Sequence, residues 1–290
     1  MIKTKICKVA DHLFSVKADE QLLSQMTQYD PFLVEEADAP LAFALTVAEA
    51  GEAFPDELEV TVETSQDDDG SQIVAGHTAD GRSYFEFLLW GDRSARVLAA
   101  PDYREAKVWV EHHELFGVNN ALMVMYALAT AGKGTALFHS AIVGHEGRGY
   151  MFLGKSGTGK STHARLWLRY ISGSELVNDD NPVVRVFDNG AVVYGSPWSG
   201  KTPCYRNMSL PLGGIVLLSQ APYNKIERLR SIAAYAALVP SISGKRWDSA
   251  VADGLHETEN QLAMHVPVWH LECLPDEAAA QLCSSQIEKP

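Results

Sequence analysis

Residues 154–161 run Gly-Lys-Ser-Gly-Thr-Gly-Lys-Ser and satisfy the pattern GxxxxGK[ST] in full. A loop of this composition holds phosphate only when a strand feeds it and a helix leaves it. Both flanks meet that demand. YMFL (150–153) is an apolar run of strand type, and STHARLWLRYI sets Ala164, Trp167, Leu168 and Ile171 at helical spacing. The glycines let successive backbone N–H groups turn inward on phosphate oxygens, and the helix start adds its positive dipole end. The candidate phosphate-binding residues are therefore Gly154, Lys155, Ser156, Gly157, Thr158, Gly159, Lys160, Ser161 and Thr162. Lys160 is placed to reach β- and γ-phosphates, and the Ser161 hydroxyl to ligate Mg²⁺.

Around the loop the pattern predicts hairpins rather than a doubly wound sheet. ALFHSAIV (136–143), the turn GHEGRG (144–149) and YMFL read as one hairpin, in which Val143 faces Tyr150 and paired positions sum to 293. That register sets His139 opposite Gly154. VVRVF and AVVYG, joined by Asp188-Asn189-Gly190, predict a second hairpin. ELVNDD (175–180), LGGIVLLSQ (212–220) and VPVWHLECL (266–274) read as strands. EHHELFGVNNALMVMYALATAGKG (from Glu111), KIERLRSIAAYAALV (225–239) and DEAAAQLCSSQI (276–287) read as helices. Residues 1–110 look strand-rich, with LEVTVE (58–63) and SYFEFLLW (83–90) separated by the turn-like SQDDDGSQ, and present no catalytic spacing. The expected division is a strand-rich region at 1–110, a scaffold or substrate-presenting part, and a nucleotide-binding catalytic domain at 111–290. The sheet carrying the loop should be mixed, with much antiparallel pairing.

Composition narrows the function. With 290 residues, 46% of them apolar, the chain can bury one large or two modest cores. A formal net charge of −13 argues against general affinity for nucleic acid or anionic membranes. Cys7, Cys204, Cys273 and Cys283 have neither CxxC nor metal-ligand spacing and are read as reduced thiols. The N-terminus lacks a signal-type apolar stretch, and the longest apolar segment, 121–131, is too short to span a bilayer. A cytoplasmic protein is expected, with homo-oligomerisation left open.

Asp179 and Asp180 end a predicted strand after the loop. Phosphoryl transfer needs a carboxylate near Mg²⁺, and a second can take the proton of an incoming hydroxyl. A hydrolytic switch has no use for such an acceptor, so the pair favours an alcohol as phosphoryl acceptor. SPWSGKTPCYRN (196–207) supplies Lys201 and Arg206, either of which could neutralise charge on a moving phosphoryl group; Trp198 reads as packing. His112, His113, His145, His163, His256, His265 and His270 show no zinc pattern and read as structural or solvated.

LFHSAIV, then GKSGTGKST fifteen residues after its histidine, then LVNDDNPVV resemble HPr kinase/phosphorylase and its shorter relatives, and more remotely ATP-dependent phosphoenolpyruvate carboxykinase. The resemblance spans about 135–195 and weakens toward 285. It implies an α/β fold of the phosphoenolpyruvate carboxykinase/HPr kinase type, with mixed, largely antiparallel sheets and flanking helices. It also implies ATP and Mg²⁺ as cofactors and an alcohol group, such as a serine of a protein or peptide, as acceptor. On this resemblance Lys160 and Ser161 contact phosphate and metal, Asp179 and Asp180 are the catalytic and metal-binding carboxylates, His139 is their partner, and Arg206 is a looser match. The family's RPGRN-type segment is missing where VPVWHLECLPDEAA stands. Small-molecule kinase, nucleotide hydrolase or switch, and non-catalytic nucleotide sensor are the other classes. YNKIE (223–227) has glutamate where a guanine-reading NKxD has aspartate.

Overall fold

Phe43, Leu45 and Val47 are buried and the residues between them only half so, the two-residue period of a strand with one face on a core. That alternation recurs through the first part of the chain. The computed structural model describes residues 1–55, 57–68, 70–200 and 202–288, which divide into two units, Met1–Thr130 and Ala131–Pro290.

The first unit is built on nine strands, β1 (Ile2–Val9), β2 (His12–Asp19), β3 (Leu33–Val34), β4 (Phe43–Val47), β5 (Val60–Asp68), β6 (Ser71–Thr78), β7 (Ser83–Leu89), β8 (Asp92–Ala99) and β9 (Glu105–Val110). They form one sheet in the order β3-β1-β2-β4-β9-β8-β7-β6-β5. Pairing is antiparallel except at β2–β4 and β4–β9. A short α1 (Glu20–Gln25) starts on an Asp19 cap. The longer α2 (Glu114–Thr130) buries Val118, Ala121, Leu122, Met125 and Tyr126, a helical stripe that packs on β4, β7, β8 and β9. This packing moves the division from the expected 110/111 to 130/131, because α2 completes the first core rather than opening the second. The stretch read as a turn, 65–72, is mostly strand: β5 and β6 run into it as far as the pair Asp68↔Ser71, and Asp69 lies outside the described residues.

The second unit contains β10 (Thr135–Leu137), β11 (Ala141–His145), β12 (Arg148–Leu153), α3 (Lys160–Tyr170), β13 (Glu175–Asn178), β14 (Val183–Phe187), β15 (Gly190–Tyr194) and β16 (Ser209–Gln220). It continues with β17 (Lys225–Leu229), α4 (Ile232–Leu238), α5 (Ser249–His265), β18 (Val268–Cys273) and α6 (Glu277–Ile287). The strand order is β10-β14-β15-β16-β12-β11-β13, with β18 also on β16 and β17 on β18. The sheet is mixed, since β12–β16 and β16–β18 are parallel and the remaining pairs antiparallel. Helices α3 and α6 meet, and the core beside them joins Tyr150, Phe152, Trp167, Val216, Leu271 and Cys283.

Three expectations change. The run 136–143 is two strands, because β10 leaves to pair with β14 while β11 pairs with β12 and β13. The hairpin register is as read, Val143↔Tyr150, but the ladder stops at Ala141↔Phe152, so His139 does not face Gly154. The segment 225–239 is not one helix: Lys225–Leu229 is a strand on β18, and only Ile232–Leu238 is helical. The 17-residue α5 has no counterpart in the reading. Its buried stripe mixes Val251, Leu255 and Leu262 with Thr258 and Glu259, and Glu259 is fully buried against Arg246 and the Tyr235 hydroxyl.

The directions of the strands fix where functional groups can gather. β13 is antiparallel to β11, and β11 to β12, so β13 runs with β12; β16 and β18 run with it too. The carboxyl ends of all four therefore share one sheet edge.

Candidate functional site

The glycine-containing loop leaves β12 at that edge and enters α3. Gly154 has φ +149°, and a side chain there would press on the Leu218 carbonyl oxygen at 3.2 Å and on Thr158. Gly159, the residue before α3, has φ +109° in the left-handed region that costs any other residue strain. The Thr158 hydroxyl donates to the Lys155 carbonyl at 2.7 Å, closing the turn. Gln220, at the end of β16, donates from Nε2 to the Gly157 carbonyl at 3.2 Å and ties the loop tip to the neighbouring strand. Lys160 is buried, its Nζ donating to the Gly154 carbonyl at 3.0 Å. The cation is thus held inside the loop. Ser161 and Thr162 follow it on the first turn of α3, both half-buried.

Asp179 and Asp180 follow β13 at the same edge, two strand spacings or about 10 Å across from the end of β12. The edge continues as a ladder, with the Ser140 N–H donating to the Asp180 carbonyl at 2.8 Å. His139 Nδ1 lies 3.1 Å from Asp180 Oδ1, and Asn181 donates to Asp180 Oδ2 at 2.8 Å. His139 therefore meets the aspartate pair, and it does so from the bend between β10 and β11 rather than by the hairpin register. Asp179 is buried, and its Oδ1 has no hydrogen-bond partner among the described residues. A buried acceptor left unpaired costs roughly 1–3 kcal/mol, so this carboxylate is arranged against the stability of the fold.

The 196–207 segment splits by role. Ser196 and Trp198 are buried and hold the aspartate turn: Asn178 Nδ2 donates to Ser196 Oγ at 3.2 Å and to the Trp198 carbonyl at 3.3 Å. At Gly200 a side chain would press on Asp180, whose Cβ would lie 3.2 Å away. Arg206 is placed elsewhere. It donates to the Leu176 carbonyl at 2.6 Å and pairs with Glu175 at 2.7 Å, at the start of β13 and not at its aspartate end. Its expected place beside the transferring group is therefore corrected to a tie on β13. Lys201 lies outside the described residues.

On the other side of the loop is a cleft of about 500 Å³, walled by residues 154–158 and by Leu217–Gln220 with His270. Ser219 Oγ and His270 Nε2 lie 2.8 Å apart in that wall. His270 was expected to be structural or solvated; only the parallel β16–β18 pairing reveals the contact.

His163, on α3 behind the loop, is buried with its ring against Phe152, and accepts from Trp167 Nε1 at 3.2 Å through Nε2. Burial pushes its pKa down from 6.5 to about 4. Between those values the unfolded chain carries a proton there that the folded chain does not, so stability falls as pH drops through the window and is fully present above it. The ceiling is about 3 kcal/mol at 1.36 kcal/mol per unit. His163→Gln should flatten this part of the profile in urea titrations at pH 7.5 and 4.5; an unchanged slope would show that another group sets it.

Among the described residues, no three His, Cys, Asp or Glu side chains gather to hold a metal by themselves. Mg²⁺ commonly binds through one or two carboxylates with substrate phosphates and water. The two adjacent carboxylates fit such a shared ion, with one as ligand and the other left free beside it. The cysteines are free, and burial raises Cys7 to about 12 and Cys273 to about 11, leaving thiols that are poor nucleophiles near neutrality. No helix among the described residues is long and apolar enough to cross a membrane.

No family model matches the chain, and no curated protein matches it. Among solved structures, the Hpr(Ser) kinase/phosphatase from Coxiella burnetii is similar over 52% of this chain and 93% of its own, with 11% identity and a TM-score of 0.31. A score of that size carries no argument about fold or chemistry, so the site rests on its own residues.

Proposed function

We propose that this chain is an ATP- and Mg²⁺-dependent kinase of HPr kinase-like type, passing the γ-phosphoryl group in line to a hydroxyl of a protein, a peptide or a small molecule. One observation carries the reading. The strand directions bring the glycine loop and the aspartate pair to one edge, with a buried, unpartnered Asp179 oxygen. A carboxylate kept unsatisfied at a net cost to the fold is what a proton acceptor or metal ligand needs.

In this reading the backbone N–H groups of 154–159 and the Lys160 ammonium bind and orient the phosphates. Ser161 and Asp180 would hold Mg²⁺, which when bound neutralises charge on the β- and γ-phosphates. Asp179 accepts the proton of the incoming hydroxyl. His139 and Asn181 fix the Asp180 carboxylate from its two sides, so that it does not turn away. Positioning and charge neutralisation carry most of the rate in such chemistry. A cytoplasmic setting and the absence of nucleic-acid and membrane partners belong to the same proposal, as does a carboxykinase-like lineage for the second unit.

Incubation of the protein with γ-labelled ATP, Mg²⁺ and a host lysate tests the reading. Label is expected in a covalent product carrying a phosphorylated hydroxyl. Label found only as free phosphate would replace the kinase by a hydrolase, and intact ATP that binds without turning over would leave a nucleotide sensor.

A further inference from the structure

Ser219 and His270 are 51 positions apart in the chain. They meet because β16 and β18 are parallel with Leu217 opposite His270, which sets Ser219 two residues further along the same face. Their cleft, at about 500 Å³, is of the size that encloses a small organic ligand. Its β16–β18 wall is formed by Leu217, Leu218, Ser219, Gln220 and His270, none of them lysine or arginine, whereas Lys155 stands on the opposite wall. That wall suits an uncharged, hydroxyl-bearing group and not a phosphate. The opposite wall is the loop itself, held at a fixed distance by the Gln220–Gly157 hydrogen bond.

Position gives the cleft its meaning. In the order β18-β16-β12-β11-β13, the aspartate pair lies beyond β13 on one side of the loop and the cleft lies on the other. On the kinase reading, which this inference rests on, the outermost phosphate faces the aspartates. The remainder of the nucleotide must then leave the loop toward β16 and β18. We infer that the cleft is the nucleoside subsite and that Ser219 and His270 recognise the ribose hydroxyls. A serine hydroxyl both donates and accepts, and the imidazole beside it adds a second polar group, so the pair offers two partners to a vicinal diol. A sugar lacking one hydroxyl leaves a member of the pair without that bond, the arrangement by which sites reject an analogue most strongly.

Calorimetric titration of wild type, Ser219→Ala and His270→Phe with Mg-ATP, Mg-2′-deoxyATP and Mg-tripolyphosphate tests this. Wild type should prefer ATP to the deoxy form by about tenfold, the worth of one good hydrogen bond. Each variant should bind ATP about tenfold more weakly and lose most of the preference, while holding tripolyphosphate as wild type does. Retained tripolyphosphate binding also shows that the variants are folded. If wild type takes ATP and deoxyATP equally and the variants change neither, the subsite is overturned while the loop reading stands. If wild type binds neither ATP nor tripolyphosphate, the loop reading itself fails.

Discussion

Asp179→Asn is expected to leave Mg-ATP affinity within about threefold of wild type and to lower phosphoryl transfer by roughly 10²–10⁴-fold, the usual worth of a positioned proton acceptor. The stability of the variant makes the test clean. Asp179 is buried and its Oδ1 lacks a partner among the described residues, so replacing the carboxylate by a neutral amide of the same shape removes a desolvation burden. The thermal midpoint should therefore stay level or rise while turnover collapses. A fall in both would mean that the residue is structural. Unchanged turnover would remove the proton acceptor from the mechanism and favour a sensor. Titration calorimetry, product formation and a melting curve on the same preparation separate these outcomes.

Lys160→Ala should act at the other end of the phosphate chain. Its ammonium is held inside the loop on the Gly154 carbonyl, pre-placed at low conformational cost for incoming phosphate oxygens. Charge-assisted hydrogen bonds contribute about 1.5–3 kcal/mol each, so Mg-ATP should bind roughly 10- to 100-fold more weakly. Lys160→Arg should not restore activity, because a planar guanidinium does not fit where a compact ammonium is enclosed. Wild-type affinity in Lys160→Ala, measured by calorimetry, would show that phosphate does not sit in this loop.

The elements that the sequence made legible are those whose signals are local. The strand–loop–helix at 148–170 and the hairpin pairs around Val143↔Tyr150 follow from apolar runs and from glycine and asparagine turns. The second hairpin is also present, although its two-residue turn is Asp188-Asn189, with Phe187 paired to Gly190. The misreadings arise where tertiary pairing overrides local pattern. Lys225–Leu229 is largely polar and spaced like a helix face, yet its backbone is needed as the outer partner of β18. Helix α5 hid because its stripe contains Thr258 and a buried Glu259, whose carboxyl group is met by Arg246 and the Tyr235 hydroxyl.

The candidate site divides in the same way. Residues 154–162 and the aspartate pair stand in motifs that sequence displays, and the strand directions then bring them to one edge. His139 reached the pair by a route the register did not foresee: the ladder ends at Ala141, and the bend before β11 delivers the imidazole to Asp180. Arg206 was drawn to the site by its charge and by a loose family match, whereas a carboxylate and a carbonyl at the start of β13 hold it. Ser219 and His270 carried no motif, since a parallel pairing across half a domain leaves no short-range mark in the chain. His163, left as structural or solvated by the sequence, is buried on the inner side of α3.

The spatial claim beneath all of this is that the carboxylates after β13 reach the ion bound to a nucleotide held after β12. Electron paramagnetic resonance of Mn²⁺ with a non-hydrolysable ATP analogue tests it directly, comparing wild type with Asp180→Asn. The account predicts Mn²⁺ bound tightly only when protein and nucleotide are both present, and at least about tenfold more weakly in the variant, as loss of a direct charged ligand requires. Equal Mn²⁺ affinity and an identical spectrum in the two proteins would place the aspartates away from the nucleotide and contradict the kinase reading.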